Sequence, residues 1–124
     1  MSRAFVAFWL TALLLLAGCA TTSQPLPERA MVVAGPVDEV LETGIEVLIE
    51  RGFVIRLADA ELGRVDAVRA ARPGYLVRLE VSDEKAAGSG TRLALSGRRG
   101  GRSIDPVRFD TLLAEIAARI QGRP

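Results

Sequence analysis

Pro36-Val37-Asp38-Glu39-Val40-Leu41-Glu42-Thr43-Gly44-Ile45-Glu46-Val47-Leu48-Ile49-Glu50-Arg51-Gly52, followed directly by Phe53-Val54-Ile55-Arg56-Leu57, is where the chain changes its period. In the first part Val37, Val40, Leu41, Ile45 and Leu48 fall at i, i+3, i+4, i+8 and i+11, one apolar stripe of a helix over 36–51. Pro36 suits the first helical position, and Asp38 and Glu39 suit the positive end of the helix dipole. Arg51 suits the negative end, and Gly52 stops the helix. Gly44 lies on the apolar stripe, where glycine costs helix stability; the expected compensation is close approach to a sheet. In the second part the period falls to two, with Phe53, Ile55 and Leu57 inward and Arg56 outward. A one-faced helix that runs through a glycine into a one-faced strand predicts a helix lying on a sheet.

Downstream the period of two persists. Residues 64–71 read as a strand with Val65 and Ala67 inward. After the turn Arg72-Pro73-Gly74, residues 75–81 place Tyr75, Val77, Leu79 and Val81 on one face and Arg78 and Glu80 on the other. A polar loop over 82–90 leads to a strand over 91–96 with Leu93 and Leu95 inward. Asp105-Pro106 then caps a last helix, whose stripe is Phe109, Leu112, Leu113, Ile116 and Ile120 and whose Glu115 and Arg119 pair at i, i+4. Upstream, Ala30-Met31-Val32-Val33 reads as a first strand before Gly35-Pro36. The order β-α-β-β-β-β-α, with short connections between strands, predicts an α+β two-layer domain. Its antiparallel β-sheet is covered on one face by two helices and wet on the other.

The first residues are of another kind. An apolar run over 4–17 follows the single cation Arg3 and ends in Leu16-Ala17-Gly18-Cys19. This is the three-part pattern of a secretory signal. The run, about 14 residues, falls short of the roughly 20 that span a bilayer. Leu-Ala-Gly-Cys resembles the lipobox of bacterial lipoproteins. The resemblance implies a diacylglyceryl thioether on Cys19, cleavage between Gly18 and Cys19, and acylation of the new N-terminus. It divides the chain into a cleaved signal over 1–18, a lipidated tether over 19–28 and a single domain over 29–124. Ala20, rather than aspartate, follows the cysteine. In a Gram-negative cell that pattern implies the periplasmic face of the outer membrane; in a Gram-positive cell the anchor would hold the outer face of the cell membrane. One acyl chain anchors marginally, whereas two or three anchor durably.

Inventory limits the chemistry. The 124 residues carry net charge +1, no histidine and one cysteine. Near-neutral charge argues against a nucleic-acid partner. Without histidine, and with Cys19 committed to lipid, His/Cys metal sites and Ser-His or Cys-His nucleophiles are excluded. The expectation is no enzyme, no metal and no cofactor beyond the lipid on Cys19. The expected partners are the membrane, through the lipid anchor, and an envelope protein.

Pro36-Val37-Asp38-Glu39-Val40 opening a helix, then Arg51-Gly52-Phe53-Val54-Ile55, Asp59-Ala60-Glu61-Leu62-Gly63-Arg64-Val65, three strands and a final helix together resemble the repeated domain of BamC-type outer-membrane lipoproteins. That resemblance, over about residues 29–121, implies a helix-grip fold in a single copy. The tether lacks the long segment by which BamC docks on its assembly partner, so what carries over is the class: an outer-membrane-tethered accessory domain.

Candidate sites are few. Arg98, Arg99 and Arg102, interleaved with Gly97, Gly100 and Gly101, could cradle an anion through guanidinium forks and exposed amides. The plainer reading is a solvated strand-to-helix connection. Asp59, Glu61 and Asp66 could be paired carboxylates for acid–base work or for a cation, but read better as an acidic turn in which Asp59 serves backbone amides. Glu42, Glu46 and Glu50 form an acidic ridge that reads as a solvated face rather than a partner-facing edge. Gly88-Ser89-Gly90-Thr91 reads as a hairpin tip, and Tyr75 as a core residue with its hydroxyl at the rim. The reading favoured is a non-enzymatic interaction or scaffold domain in the envelope. The alternative is a module binding a small anionic, lipid or glycan ligand at the helix–sheet groove or at the loop over 98–102. A carboxylate-only glycan hydrolase ranks third.

Overall fold

The period-two segments form one antiparallel sheet, and the two amphipathic segments lie together on one of its faces. The computed structural model describes residues 2–15, 24–85, 88 and 90–123. Helix α1 (Ser2–Leu15) is followed by β1 (Glu28–Val33), α2 (Val37–Glu50), β2 (Val54–Asp59), β3 (Arg64–Arg69), β4 (Tyr75–Asp83), β5 (Thr91–Arg99), β6 (Arg102–Ser103), a 3-10 turn (Pro106–Phe109) and α3 (Asp110–Gln121). The strands run in the order β1-β5-β4-β3-β2, and β6 pairs with the end of β5. The protein is α+β, as expected. No described helix is long and apolar enough to cross a membrane. Gly18 and Cys19, the expected cleavage and lipidation site, lie outside the described residues.

Helix α2 starts one residue later than the sequence implied. Pro36 is the extended cap residue, and its carbonyl accepts the first helical bond from the Val40 N–H at 3.1 Å. The buried face is also wider than the expected stripe. Thr43 and Val47 are buried beside Val40, Leu41, Gly44 and Leu48, because α2 touches both the sheet and α3. The Thr43 hydroxyl is satisfied within the helix, donating to the Glu39 carbonyl at 2.8 Å. At Gly44 a Cβ would stand 2.5 Å from Cδ2 of Leu79 on β4. This is the close approach to a sheet that a glycine on the apolar stripe implied.

Between the layers Leu48, Leu79, Leu95, Phe109 and Ile116 are at most 1 % exposed. Full burial of each such side chain is worth about 1.5–3 kcal/mol. The interlayer space is therefore occupied by side chains, and the helix–sheet groove named above as a binding place is filled at its centre.

Leu57 departs from expectation. The register of β2 on β3 slips between Ile55, opposite Ala67, and Leu57, opposite Asp66. The extra residue turns Leu57 to the uncovered face, where it is 44 % exposed. A bulge adds one residue to a strand and reverses the alternation beyond it.

The acidic ridge of α2 is more than a solvated face. Glu46 accepts from Arg123 at 2.8 Å and Glu50 from Arg119 at 2.6 Å, while Arg51 pairs with Glu115. Two of the three like charges thus face cations on α3 and just beyond its end, joining the two helices side by side, while Glu42 stays exposed. Arg119 also lies 3.8 Å from Glu115, the expected i, i+4 pair.

Candidate functional site

The segment 97–103, read above as a loop, is mostly strand. β5 continues through Arg98 and Arg99, Gly100 and Gly101 turn the chain, and Arg102 and Ser103 pair back onto Arg99 and Arg98. Gly100 and Gly101 both have positive φ, 58° and 80°. That is the conformation a two-residue hairpin with the sheet's twist demands, and one that glycine adopts without steric cost. The Ile104 N–H then donates to the Gly97 carbonyl at 3.0 Å. Asp105 caps the 3-10 turn, accepting from the Val107 N–H at 3.1 Å.

Strand geometry separates the arginines expected to act together. Arg98 lies in the cross-strand row of Leu76 and Val68, on the uncovered face. Arg99 lies in the row of Tyr75 and Arg69, on the face that carries the helices, and Arg102 extends that row on β6. Successive residues of a strand point to opposite faces, so Arg98 and Arg99 do not converge. The row assembled instead is Arg69, Tyr75, Arg99 and Arg102, and Arg108 joins it from the 3-10 turn. Arg69, Ala71, Tyr75, Arg99 and Arg108 line an open cavity of about 390 Å³.

Arg69 is held in place by ring faces. Its guanidinium carbon lies 5.5 Å from the centroid of Phe53 and 5.6 Å from that of Tyr75. The two rings are tilted, with centroids 5.5 Å apart. Such stacking orients the guanidinium plane and leaves its N–H edge available. Tyr75 is packed against the core and half-buried, as expected. Its role as a platform for an arginine was not foreseen. Neither residues 67–79 nor residues 91–104 contain an acid, whereas these two segments hold Arg69, Arg72, Arg78, Arg92, Arg98, Arg99 and Arg102. The acid-free segments are visible in the sequence. The register that brings Arg69 beside Arg99 is not.

Of the other carboxylate candidates Asp59 and Asp66 are engaged structurally, and Glu61 is exposed on the β2–β3 turn. Asp59 accepts from the Leu62 N–H at 3.0 Å, closing the β2–β3 turn as expected. Asp66 is on the uncovered sheet face, gripped by Arg64 at 2.7 Å and Arg78 at 2.8 Å. Burial raises its pKa, and the hydrogen bonds from Arg78 and Arg64 more than reverse this, leaving it at about 2. No group of three or more acids or thiols that could hold a metal occurs among the described residues. At the opposite end of the sheet, Gly35, Asp83, Lys85, Gly90 and Thr91 border a shallow hollow of about 470 Å³.

No family model matches the sequence, and no curated protein matches it. Among solved structures, the Thermus thermophilus protein TTHA0849 is similar at a TM-score of 0.41 and 16 % identity, over 78 % of this chain and 86 % of that one.

Proposed function

We propose that this chain is an envelope lipoprotein, anchored through lipid on Cys19, whose domain over 29–124 acts as a non-enzymatic interaction module. One observation carries the reading. The apolar run at the start of the chain ends in Leu16-Ala17-Gly18-Cys19, and Cys19 is the sole cysteine of 124 residues. A thioether-linked lipid accounts for both the position and the singleness of that thiol. The short reach of the tether, roughly 30 Å for nine extended residues, keeps the domain against the membrane. In a Gram-negative cell this is the periplasmic face of the outer membrane, with a second envelope protein as partner. The non-enzymatic half of the reading is supported by the use made of the carboxylates. Asp66 is bound by two arginines and Asp59 by a turn amide, and neither is left to move a proton.

The test is mass spectrometry of the protein from envelope fractions, beside its Cys19→Ser variant. The expected product begins at Cys19 and carries a diacylglyceryl group, whereas the variant keeps residues 1–18. A freely soluble product with an unmodified thiol would overturn the anchor. Crosslinking in the envelope is expected to recover a protein partner. Turnover of a glycan or ester by the purified protein would overturn the non-enzymatic reading.

A further inference from the structure

We infer that the end of the sheet formed by Arg69, Tyr75, Arg99 and Arg108 is a binding site for a phosphate group, carried by a small solute or by a lipid headgroup. The site is independent of the anchor and is present whether or not Cys19 is lipidated.

Charge is the first reason. Along the rest of the domain most arginines have a carboxylate partner: Arg29 with Asp110, Arg51 with Glu115, Arg78 with Asp66 and Arg123 with Glu46. Among the described residues Arg69, Arg99 and Arg108 have none; Arg56, Arg72, Arg98 and Arg102 share that lack, but only Arg69, Arg99 and Arg108 border this one cavity. The acids nearest in sequence are occupied, since Asp105 caps the 3-10 turn and Asp110 holds Arg29. Placing three cations around one cavity without an acid costs Coulomb energy that the paired arginines avoid. Such an arrangement is relieved when an anion enters.

Geometry supplies the rest. Neighbouring strands are about 4.8 Å apart, so Arg69 and Arg99 flank Tyr75 at about 10 Å, within reach of one group for side chains of this length. Arg108 approaches from the 3-10 turn, and the cavity between them, about 390 Å³, takes a phosphate monoester with room for its substituent. Arg69 is oriented in advance by Phe53 and Tyr75, which lowers the entropy cost of binding. Phosphate is favoured over carboxylate by count. A dianion with three free oxygens can accept from all three guanidinium forks, whereas a carboxylate has one charge and two oxygens.

The experiment uses the full-length chain in non-ionic detergent micelles at low salt. Inorganic phosphate is titrated while the arginine Nε–H and Tyr75 ring resonances are followed by NMR. A second arm uses soluble dihexanoyl phosphatidic acid, with dihexanoyl phosphatidylcholine as its control. Saturable shifts confined to Arg69, Arg99, Arg108 and Tyr75 are expected. Arg69→Gln and Arg99→Gln should each weaken binding about tenfold or more, the usual weight of one charge-assisted contact. Arg56→Gln, which removes the same charge on β2 away from the site, should leave the affinity unchanged. Binding of inorganic phosphate identifies a free phosphate solute. Binding of phosphatidic acid alone, with the same variant pattern, identifies a headgroup. Absence of saturable binding in both arms, or equal weakening by Arg56→Gln, overturns the site.

Discussion

Replacing Asp66 by asparagine tests whether the uncovered sheet face is organised by charge. The carboxylate sits between two forks: Arg64 Nη2 is 2.7 Å from Oδ2 and Arg78 Nε is 2.8 Å from Oδ1. Its side chain is only 16 % exposed, so solvent screening is limited. A fall from the ordinary value of 3.8 to about 2 corresponds to about 2 kcal/mol of stability. The folded pKa lies below the unfolded one. The contribution is therefore complete above the unfolded value and is lost as pH falls through about 2; roughly half remains at pH 3. Asparagine keeps the shape and removes the charge, leaving two guanidinium groups facing each other. With an m-value of about 1–2 kcal/mol per molar urea, the midpoint at pH 7 should fall by about 1–2 M. The gap between wild type and variant should shrink to about half at pH 3. An unchanged midpoint at pH 7, or an equal gap at the two pH values, would refute the assignment of that stability to the ion triad.

Gly97→Ala places a Cβ 2.6 Å from the Leu76 carbonyl and 3.1 Å from Phe109; it should destabilise by about 1–3 kcal/mol, read as a lower thermal midpoint. Leu79→Ala opens a cavity beneath Gly44 at a fully buried position and should cost about 2–5 kcal/mol in urea denaturation. Asp105→Ala removes the side-chain cap on Val107 and should cost about 1 kcal/mol, with faster amide exchange at Val107.

The helices, the sheet and the side on which they meet were legible because burial writes itself as periodicity. Val40, Leu41 and Leu48 at one helical face, and Val77, Leu79 and Val81 at alternate positions, are buried as their spacing implied. Gly44 was legible for the same reason, since only close packing explains a glycine on an apolar stripe. Leu57 was not, because a bulge is a one-residue slip that composition does not mark. Thr43 and Val47 were not, because α2 packs on α3 as well as on the sheet, and α3 arrives from far along the chain. The candidate site was half legible: the acid-free, arginine-rich segments are in the sequence, and so is the Gly100–Gly101 turn. The separation of Arg98 from Arg99 required knowing that β5 runs on through both.

Local chemistry belongs to the sequence alone. It determined where apolar faces lie, where turns must fall, which catalytic inventories are missing and that Cys19 closes an apolar run. Tertiary structure alone decided which cations keep partners. Cross-strand register sets Asp66 beside Arg78 and Arg69 beside Tyr75 and Arg99, and helix packing sets Glu50 against Arg119. Charges interact through space, over a few ångströms, between residues that the chain separates by up to 81 positions, as in Arg29 and Asp110. Periodicity reports only which side of an element is dry. It carries no information on which neighbour the wet side will meet.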